Sequence, residues 1–378
     1  MPPRRALAES RSPLWFAIQR IKTALSPNVT ITPAPPSILA QWDVAITMRD
    51  GVTLRANVFR PKSDARVPVI MSAHPYGKDK IAARTRSGRS PNLQYRLFPQ
   101  PDPIAISEWT SWEAPDPAVL VPRGYAVFNC DLRGAGTSEG VGDFFSEIEG
   151  RDYHDLIEWA ADQPWSNGRV GLDGVSYLAI SQYFAAVQHP PHLAAICPWE
   201  GFNDAYRDFV YPGGVRENGF SKLWFHKAGQ ARVKTNLEIE ANRHTDRDAF
   251  WAERTAPIEK IEVPMLVCAS FSDHSLHSRG SFEAYRRAAS GQKWITTHRS
   301  GKWSTYYGQD ATETRLRFFD HFLKGADNGW DREPAVRLAI YDTGSDPAAV
   351  TKEEAWPPND LTWQRLWLGA TGMALADA

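Results

Sequence analysis

Ser176, Asp273 and a histidine late in the chain are residue types that together could carry out nucleophilic acyl transfer. A serine hydroxyl is a weak nucleophile at neutral pH. It needs an imidazole within hydrogen-bond reach and a carboxylate that fixes the imidazole tautomer. Ser176 lies in Gly174-Val175-Ser176-Tyr177-Leu178. The preceding Gly168-Arg169-Val170-Gly171-Leu172-Asp173 reads as a short buried strand, and Leu178 to Val187, rich in Ala and large apolar residues, reads as a helix. A strand that turns into a helix around a serine is a nucleophile elbow. Its strain lifts the hydroxyl clear of the sheet, and the helix N-terminus directs backbone N–H groups at a developing oxyanion. The usual G-x-S-x-G pattern ends here in Leu178 rather than Gly.

The partners come later in the chain. Asp273 follows the apolar run Val263 to Ala269, and His298 follows the last core strand, Trp294 to Thr297. The order Ser, acid, His suits this chemistry on a parallel sheet. His274 and His277 stand too near Asp273 in sequence to occupy the last-strand loop, and His321 lies in an apolar-faced helix, so His298 is the expected base. Acyl transfer also needs two oxyanion donors. One is expected from the Tyr177 backbone N–H. The other should come from the loop after the strand Val67 to Ala73, where Tyr76 offers a phenol beside several backbone N–H groups. Trp109 and Trp112, in a long segment of little periodicity, and Phe271, beside the acid, are candidate substrate contacts.

The elements that must position these residues read as alternating β and α units. Trp42 to Thr47 and Val52 to Phe59 flank Arg49-Asp50-Gly51 and predict a hairpin. Tyr125 to Cys130 is the next strand. Tyr153, Leu156, Ile157 and Ala160 fall at helical spacing, as do Leu316, Phe319, Phe322 and Leu323. The pattern predicts an α/β class, a mostly parallel doubly wound sheet, with ligands bound beyond the strand ends. Four regions follow. Residues 1–40 form a tail with an amphipathic helix and a Pro-rich connector. Residues 41–199 and 258–327 form the core, and 200–257 an inserted helical cap. Residues 333–378 form a short β segment.

Lys and Arg number 43 against 44 Asp and Glu, a balance that gives no electrostatic case for nucleic acid or an anionic membrane surface. The three cysteines, Cys130, Cys197 and Cys268, stand in apolar strand-like runs and read as buried thiols in a reducing compartment, neither a disulfide framework nor a metal site. No apolar run is long enough to span a bilayer, and residues 1–40 lack the form of a signal peptide, so the chain reads as cytoplasmic.

Further stretches carry a more specific likeness: Met48-Arg49-Asp50-Gly51-Val52-Thr53-Leu54, His74-Pro75-Tyr76-Gly77-Lys78, and Asp131-Leu132-Arg133-Gly134-Ala135-Gly136-Thr137-Ser138-Glu139-Gly140. To these add Ile157-Glu158-Trp159 with Gln163-Pro164-Trp165, and the elbow itself. In this order, over about residues 42–325, the chain resembles the CocE/NonD hydrolases. These are α/β-hydrolase-fold serine enzymes related to cocaine esterase, α-amino acid ester hydrolases, glutaryl-cephalosporin acylases and X-Pro dipeptidyl-peptidases. The resemblance implies Ser176 as nucleophile, Asp273 as acid, and the Tyr76 hydroxyl joining the Tyr177 N–H in the oxyanion hole, with no metal or cofactor. Three departures stand out. Ala179 replaces a usual Gly, Phe271 replaces a usual Trp, and Thr305 in Gly301-Lys302-Trp303-Ser304-Thr305 stands where the family's histidine is expected. The family also carries a C-terminal jelly-roll domain. Ala335 to Tyr341 and Leu361 to Leu368 read as its opening strands, and the segment reads as incomplete.

The leading expectation is a serine hydrolase of small-molecule acyl esters or amides. An X-Pro dipeptidyl aminopeptidase is the alternative, with Glu200, Asp204 and Asp208 as candidates to hold a free amine. A third is a non-catalytic binding member of the fold, motivated by the displaced histidine and the short C-terminal segment.

Overall fold

The computed structural model describes residues 14, 18, 21, 22, 25–86, 88–98, 100–228, 230–273, 276–342, 347–364, 366–369 and 372–375; for 227, 228 and the last two stretches it describes the backbone alone. Ten strands form its main sheet: β1 (Ile38–Thr47), β2 (Thr53–Pro61), β3 (Val67–His74), β4 (Ala126–Asp131), β5 (Ser166–Val175), β6 (Leu193–Trp199), β7 (Met265–Ser270), β8 (Lys293–His298), β9 (Val336–Ile340) and β10 (Ala349–Glu353). Their spatial order is β10-β9-β8-β7-β6-β5-β3-β4-β2-β1. The pairs from β4 through β3, β5, β6, β7 and β8 to β9 are parallel; β1–β2, β2–β4 and β9–β10 are antiparallel.

Strands β3, β4 and β7 are buried at every position. Such near-continuous apolar runs are what a sheet covered on both faces requires. Of the helices α1 (Glu147–Ala161), α2 (Tyr177–Ala186), α3 (Phe220–Ala228), α4 (Leu237–Arg243), α5 (Ser278–Arg287), α6 (Lys302–Tyr306) and α7 (Gln309–Lys324), α1, α2, α5 and α7 pack on the sheet. Helix α1 buries Tyr153, Leu156, Ile157 and Ala160, and α7 buries Leu316, Phe319 and Leu323. A Cβ at Gly171 in β5 would lie 2.8 Å from a Phe319 ring carbon, so this glycine lets α7 sit directly on the sheet.

The long segment after β3 is not structureless. It holds a small hairpin (Ala83–Thr85 and Gly88–Ser90), a short helix (Leu93–Leu97), and a strand (Ile104–Ser107) that pairs in parallel with Val29–Thr32. Of the helix expected in the N-terminal tail, Leu14, Ile18, Ile21, Lys22 and Leu25 are described, helical and exposed; the rest lies outside the described residues.

The C-terminal stretch differs in placement from the sequence expectation. Val336–Ile340 does not open a separate sheet: it pairs in parallel with β8 and extends the core sheet, and β10 folds back on it. Ile295 and Val336 are apolar and buried, and they meet in register. Leu366–Gly369 and Gly372–Leu375 pair with each other.

Candidate active site

Ser176 holds φ +61° and ψ −114°, a left-handed conformation that serines rarely adopt. Its N–H donates to the Trp199 carbonyl at 3.0 Å, tying the elbow to the end of β6. Gly174 is needed beneath it, since its φ is +144° and a Cβ there would stand 2.5 Å from Leu178 Cβ. The space usually left open by a glycine at position 178 is thus left open by Gly174. Ala179 is accommodated in the same way, because a Cβ on the facing Gly201 would come within 2.9 Å of the Ala179 methyl. Glu113 and Glu200 also hold positive φ, +64° and +55°, and both adjoin the elbow: the Glu113 carbonyl accepts from Val175 N–H, and Glu200 follows β6. Strain of this kind concentrates at functional sites.

The imidazole that meets Ser176 is His277. Its Nε2 lies 3.3 Å from Ser176 Oγ, and its Nδ1 is hydrogen-bonded to Asp273 Oδ2. The His298 expectation needs correction: His298 sits at the end of β8 as read, but its Nε2 faces Glu200 Oε1 at 2.9 Å rather than the serine. The reason is local. Leu276 N–H donates to the Asp273 carbonyl at 3.2 Å, and His277 is set at the start of α5, stacked on Phe202. Proximity in sequence, the ground for setting His277 aside, is what brings it to the acid. The i, i+4 spacing of Asp273 and His277, which places two side chains on one side of a turn, is the signal that points to it. His274 lies outside the described residues. Thr305 is occupied in its own helix, its hydroxyl donating to the Gly301 carbonyl at 2.7 Å.

Burial, joined by the nearby Lys302 ammonium, lowers the His277 pKa below its usual value. Burial alone would raise Asp273, but the attraction of His277 and Lys302 outweighs it and holds the carboxyl well below its ordinary range. Lys302 Nζ lies 3.2 Å from His277 Nδ1 and 3.5 Å from carboxylate oxygens of both Asp273 and Glu200. Its own pKa is raised, burial being outweighed by those two carboxylates. Ligating atoms of Glu200, Asp273 and His277 come within 4.8 Å of one another, and the cation among them is this ammonium.

The Tyr76 and Tyr177 rings meet edge to face, with centroids 6.2 Å apart. The Tyr76 backbone N–H donates to His74 Nδ1, and Tyr76 lines the cleft. Trp224 Nε1 donates to the phenol oxygen at 3.0 Å. Burial and the charge of Glu113 raise the phenol well above its usual pKa and keep it a protonated donor. Tyr177 is the first residue of α2, where backbone N–H groups have no intrahelical acceptor. Its side-chain hydroxyl donates to the buried Glu149.

Ser176, Tyr76 and Asp273 open into a cleft of about 820 Å³. Its walls are mostly apolar, with Phe98 and Trp112 from the segment after β3 and Phe209, Leu223 and Trp224 from the helices between β6 and β7. Of the three aromatic residues expected at the substrate, Trp112 lines this cleft. Trp109 does not: it stacks on Phe59, ring centroids 5.4 Å apart, beside Trp42. Phe271 also stands outside, 47% exposed and stacked on Phe282, because the chain leaving β7 turns its side chain outward. Glu200 and Lys302 are site residues that the sequence reading had not joined to the serine.

A strained serine between β5 and a buried helix, on a sheet of this strand order, defines the α/β-hydrolase fold. A family model described as X-Pro dipeptidyl-peptidase (S15 family) matches residues 50–242, and the chain belongs to that family. It is 26% identical over 393 residues to a cocaine esterase of Rhodococcus sp. (strain MB1 Bresler), covering 88% of this chain and 62% of the esterase. A putative Xaa-Pro dipeptidyl-peptidase of Streptomyces avermitilis is 25% identical, over 82% of this chain and 48% of that protein. The crystal structure of a CocE/NonD family hydrolase from Staphylococcus aureus superposes with a TM-score of 0.82 at 37% identity, covering 88% of this chain and 59% of that one. The chain spans about half to three-fifths of the length of these relatives. No helix among the described residues is long and apolar enough to cross a membrane.

Proposed function

We propose that this chain hydrolyses small acyl esters through an acyl-enzyme, with Ser176 as nucleophile, His277 as base and Asp273 as the carboxylate that orients it. The observation that carries the reading is the line from Ser176 Oγ to His277 Nε2 at 3.3 Å, continued from Nδ1 to Asp273. With Nδ1–H donated to Asp273, Nε2 is left as the acceptor. It takes the serine proton as Oγ attacks the ester carbonyl, and returns it to the leaving alcohol as the C–O bond breaks. The Tyr76 hydroxyl and the Tyr177 N–H donate to the oxyanion. Water then repeats the sequence on the acyl-serine, and the acid is released.

Ester rather than dipeptide cleavage is favoured by the state of the acidic residues. An X-Pro dipeptidase needs carboxylates to hold a free amine. Here Asp208 is paired with Arg279 at 2.6 Å, Asp204 with Arg207 and Arg247, and Glu200 with His298 and Lys302. The apolar cleft suits a neutral acyl or alcohol group.

The test compares kcat/KM on p-nitrophenyl butyrate with that on an Ala-Pro p-nitroanilide. The expected result is turnover of the ester at least a hundredfold above the anilide, lost in Ser176→Ala. The reverse preference would assign the peptidase activity instead.

A further inference from the structure

The site holds two carboxylate–histidine couples, not one. Asp273 with His277 reaches the serine; Glu200 with His298 lies behind it, on the ends of β6 and β8. Lys302 stands between them, 3.5 Å from each carboxylate and 3.2 Å from His277 Nδ1.

A cation against the base poses a problem for the reaction. The transition state places a proton on His277, and an imidazolium beside an ammonium is disfavoured. Lys302 could also donate to Nδ1. That would move the imidazole proton to Nε2, where His277 could no longer accept from serine. Both difficulties are met if the ammonium is held by carboxylates on either side. One carboxylate and one ammonium would leave the imidazolium facing no net charge. A second carboxylate restores one net negative charge, the condition of an ordinary serine triad. Glu200 is that second carboxylate. It is fully buried, held by a strained backbone, and oriented by His298 at 2.9 Å.

We propose that Lys302 and Glu200 act as a pair of positioning residues for the base. Lys302 ties Glu200 to Asp273 and keeps the His277 Nδ1 proton directed at Asp273, while Glu200 supplies the negative charge that lets the imidazolium form beside an ammonium. His298 orients Glu200. Other charged groups near this cluster are Glu113, which faces Lys302 from the segment ahead of β4, and the Asp208–Arg279 ion pair reaching α5. Asp208 is ion-paired with Arg279; Glu113 accepts from the neutral Trp303 Nε1–H, which does not cancel its charge, so it acts on Lys302 in the same sense as Glu200 and Asp273.

The inference rests on His277 as base, and a pH–rate series on the intact chain separates the two. The base accepts a proton only when neutral, so kcat/KM rises with pH through the His277 ionisation. Removing the ammonium in Lys302→Met favours the imidazolium, and the acid limb is expected to move to higher pH. Glu200→Gln is expected to move it to lower pH and to reduce the plateau roughly tenfold to a hundredfold, the scale of one charged contact. The double variant Glu200→Gln, Lys302→Met restores the net charge and should regain at least tenfold over Glu200→Gln alone. Lys302→Arg keeps the charge and should hold the limb near that of the parent. Circular dichroism and fluorophosphonate labelling of Ser176 accompany each variant. If folded, labelled Lys302→Met keeps the parent's acid limb, or the double variant is no better than Glu200→Gln, the pair has only a structural role and the proposal fails. If the folded parent itself takes up no label, it is the nucleophile reading that fails.

Discussion

A separation of 3.3 Å from Ser176 Oγ distinguishes His277 from His298, whose Nε2 is engaged by Glu200. His277→Ala is therefore expected to lower kcat/KM on a p-nitrophenyl ester by about a thousandfold or more. His298→Ala should lose far less, since it touches the base only through Glu200. Tyr76→Phe removes the hydroxyl proposed as an oxyanion donor and should cost roughly a hundredfold in kcat with little change in KM. Because burial and Lys302 both favour neutral imidazole, the acid limb of kcat/KM should fall at a pH below that of an exposed histidine. A pH–rate profile checks this directly. The strand-end positions of Ser176 and Asp273 are legible in the sequence because each follows an apolar run. The placement of His277 is legible only through its i, i+4 spacing from Asp273, a signal that the strand-end rule used for the other two residues passes over.

The elbow is shaped by pairs of positions rather than by a single motif. Leu178 fits because Gly174 has no side chain, and Ala179 fits because Gly201 has none. Gly201→Ala should destabilise the protein by about 1–3 kcal/mol, the cost of overpacking a tight contact, read as a lower urea midpoint. Combining it with Ala179→Gly should recover part of that loss. An equal loss in both backgrounds would place the clash elsewhere, on the backbone of α2. Helices α1 and α7 are legible from their apolar spacing, and α2 from its run of Ala and large apolar residues. The strand Ile104–Ser107 and its partner Val29–Thr32 are not, because each has four residues and they are joined only by tertiary contact.

Across the whole molecule, burial raises several carboxyls, and Glu149 is one that contributes to the pH dependence of stability. Glu149 on α1 is fully enclosed; burial pushes it up to about 8, although hydrogen bonds from Tyr177 and the Phe145 N–H pull the other way. In the unfolded chain it ionises near 4.5. Below that pH both states hold the proton and there is no penalty. As pH rises from 4.5 towards 8 the unfolded chain alone releases it, and stability falls by up to about 1.4 kcal/mol per unit. Glu149→Gln should flatten that part of the curve of urea midpoint against pH; an unchanged slope would mean that Glu149 ionises normally in the fold. The mostly parallel sheet is legible from the alternation of apolar strands and amphipathic helices; its strand order is not. The pairing of Val336–Ile340 with β8 is not, because an apolar strand does not reveal which edge it joins. The most direct measurement is the intact mass of the chain after reaction with a fluorophosphonate, alongside Ser176→Ala, His277→Ala and His298→Ala, each confirmed folded by circular dichroism. One adduct is expected on the parent and on His298→Ala, none on Ser176→Ala, and strongly slowed labelling on His277→Ala. No adduct on the folded parent, or labelling that depends on His298 and not on His277, would contradict a serine activated by His277.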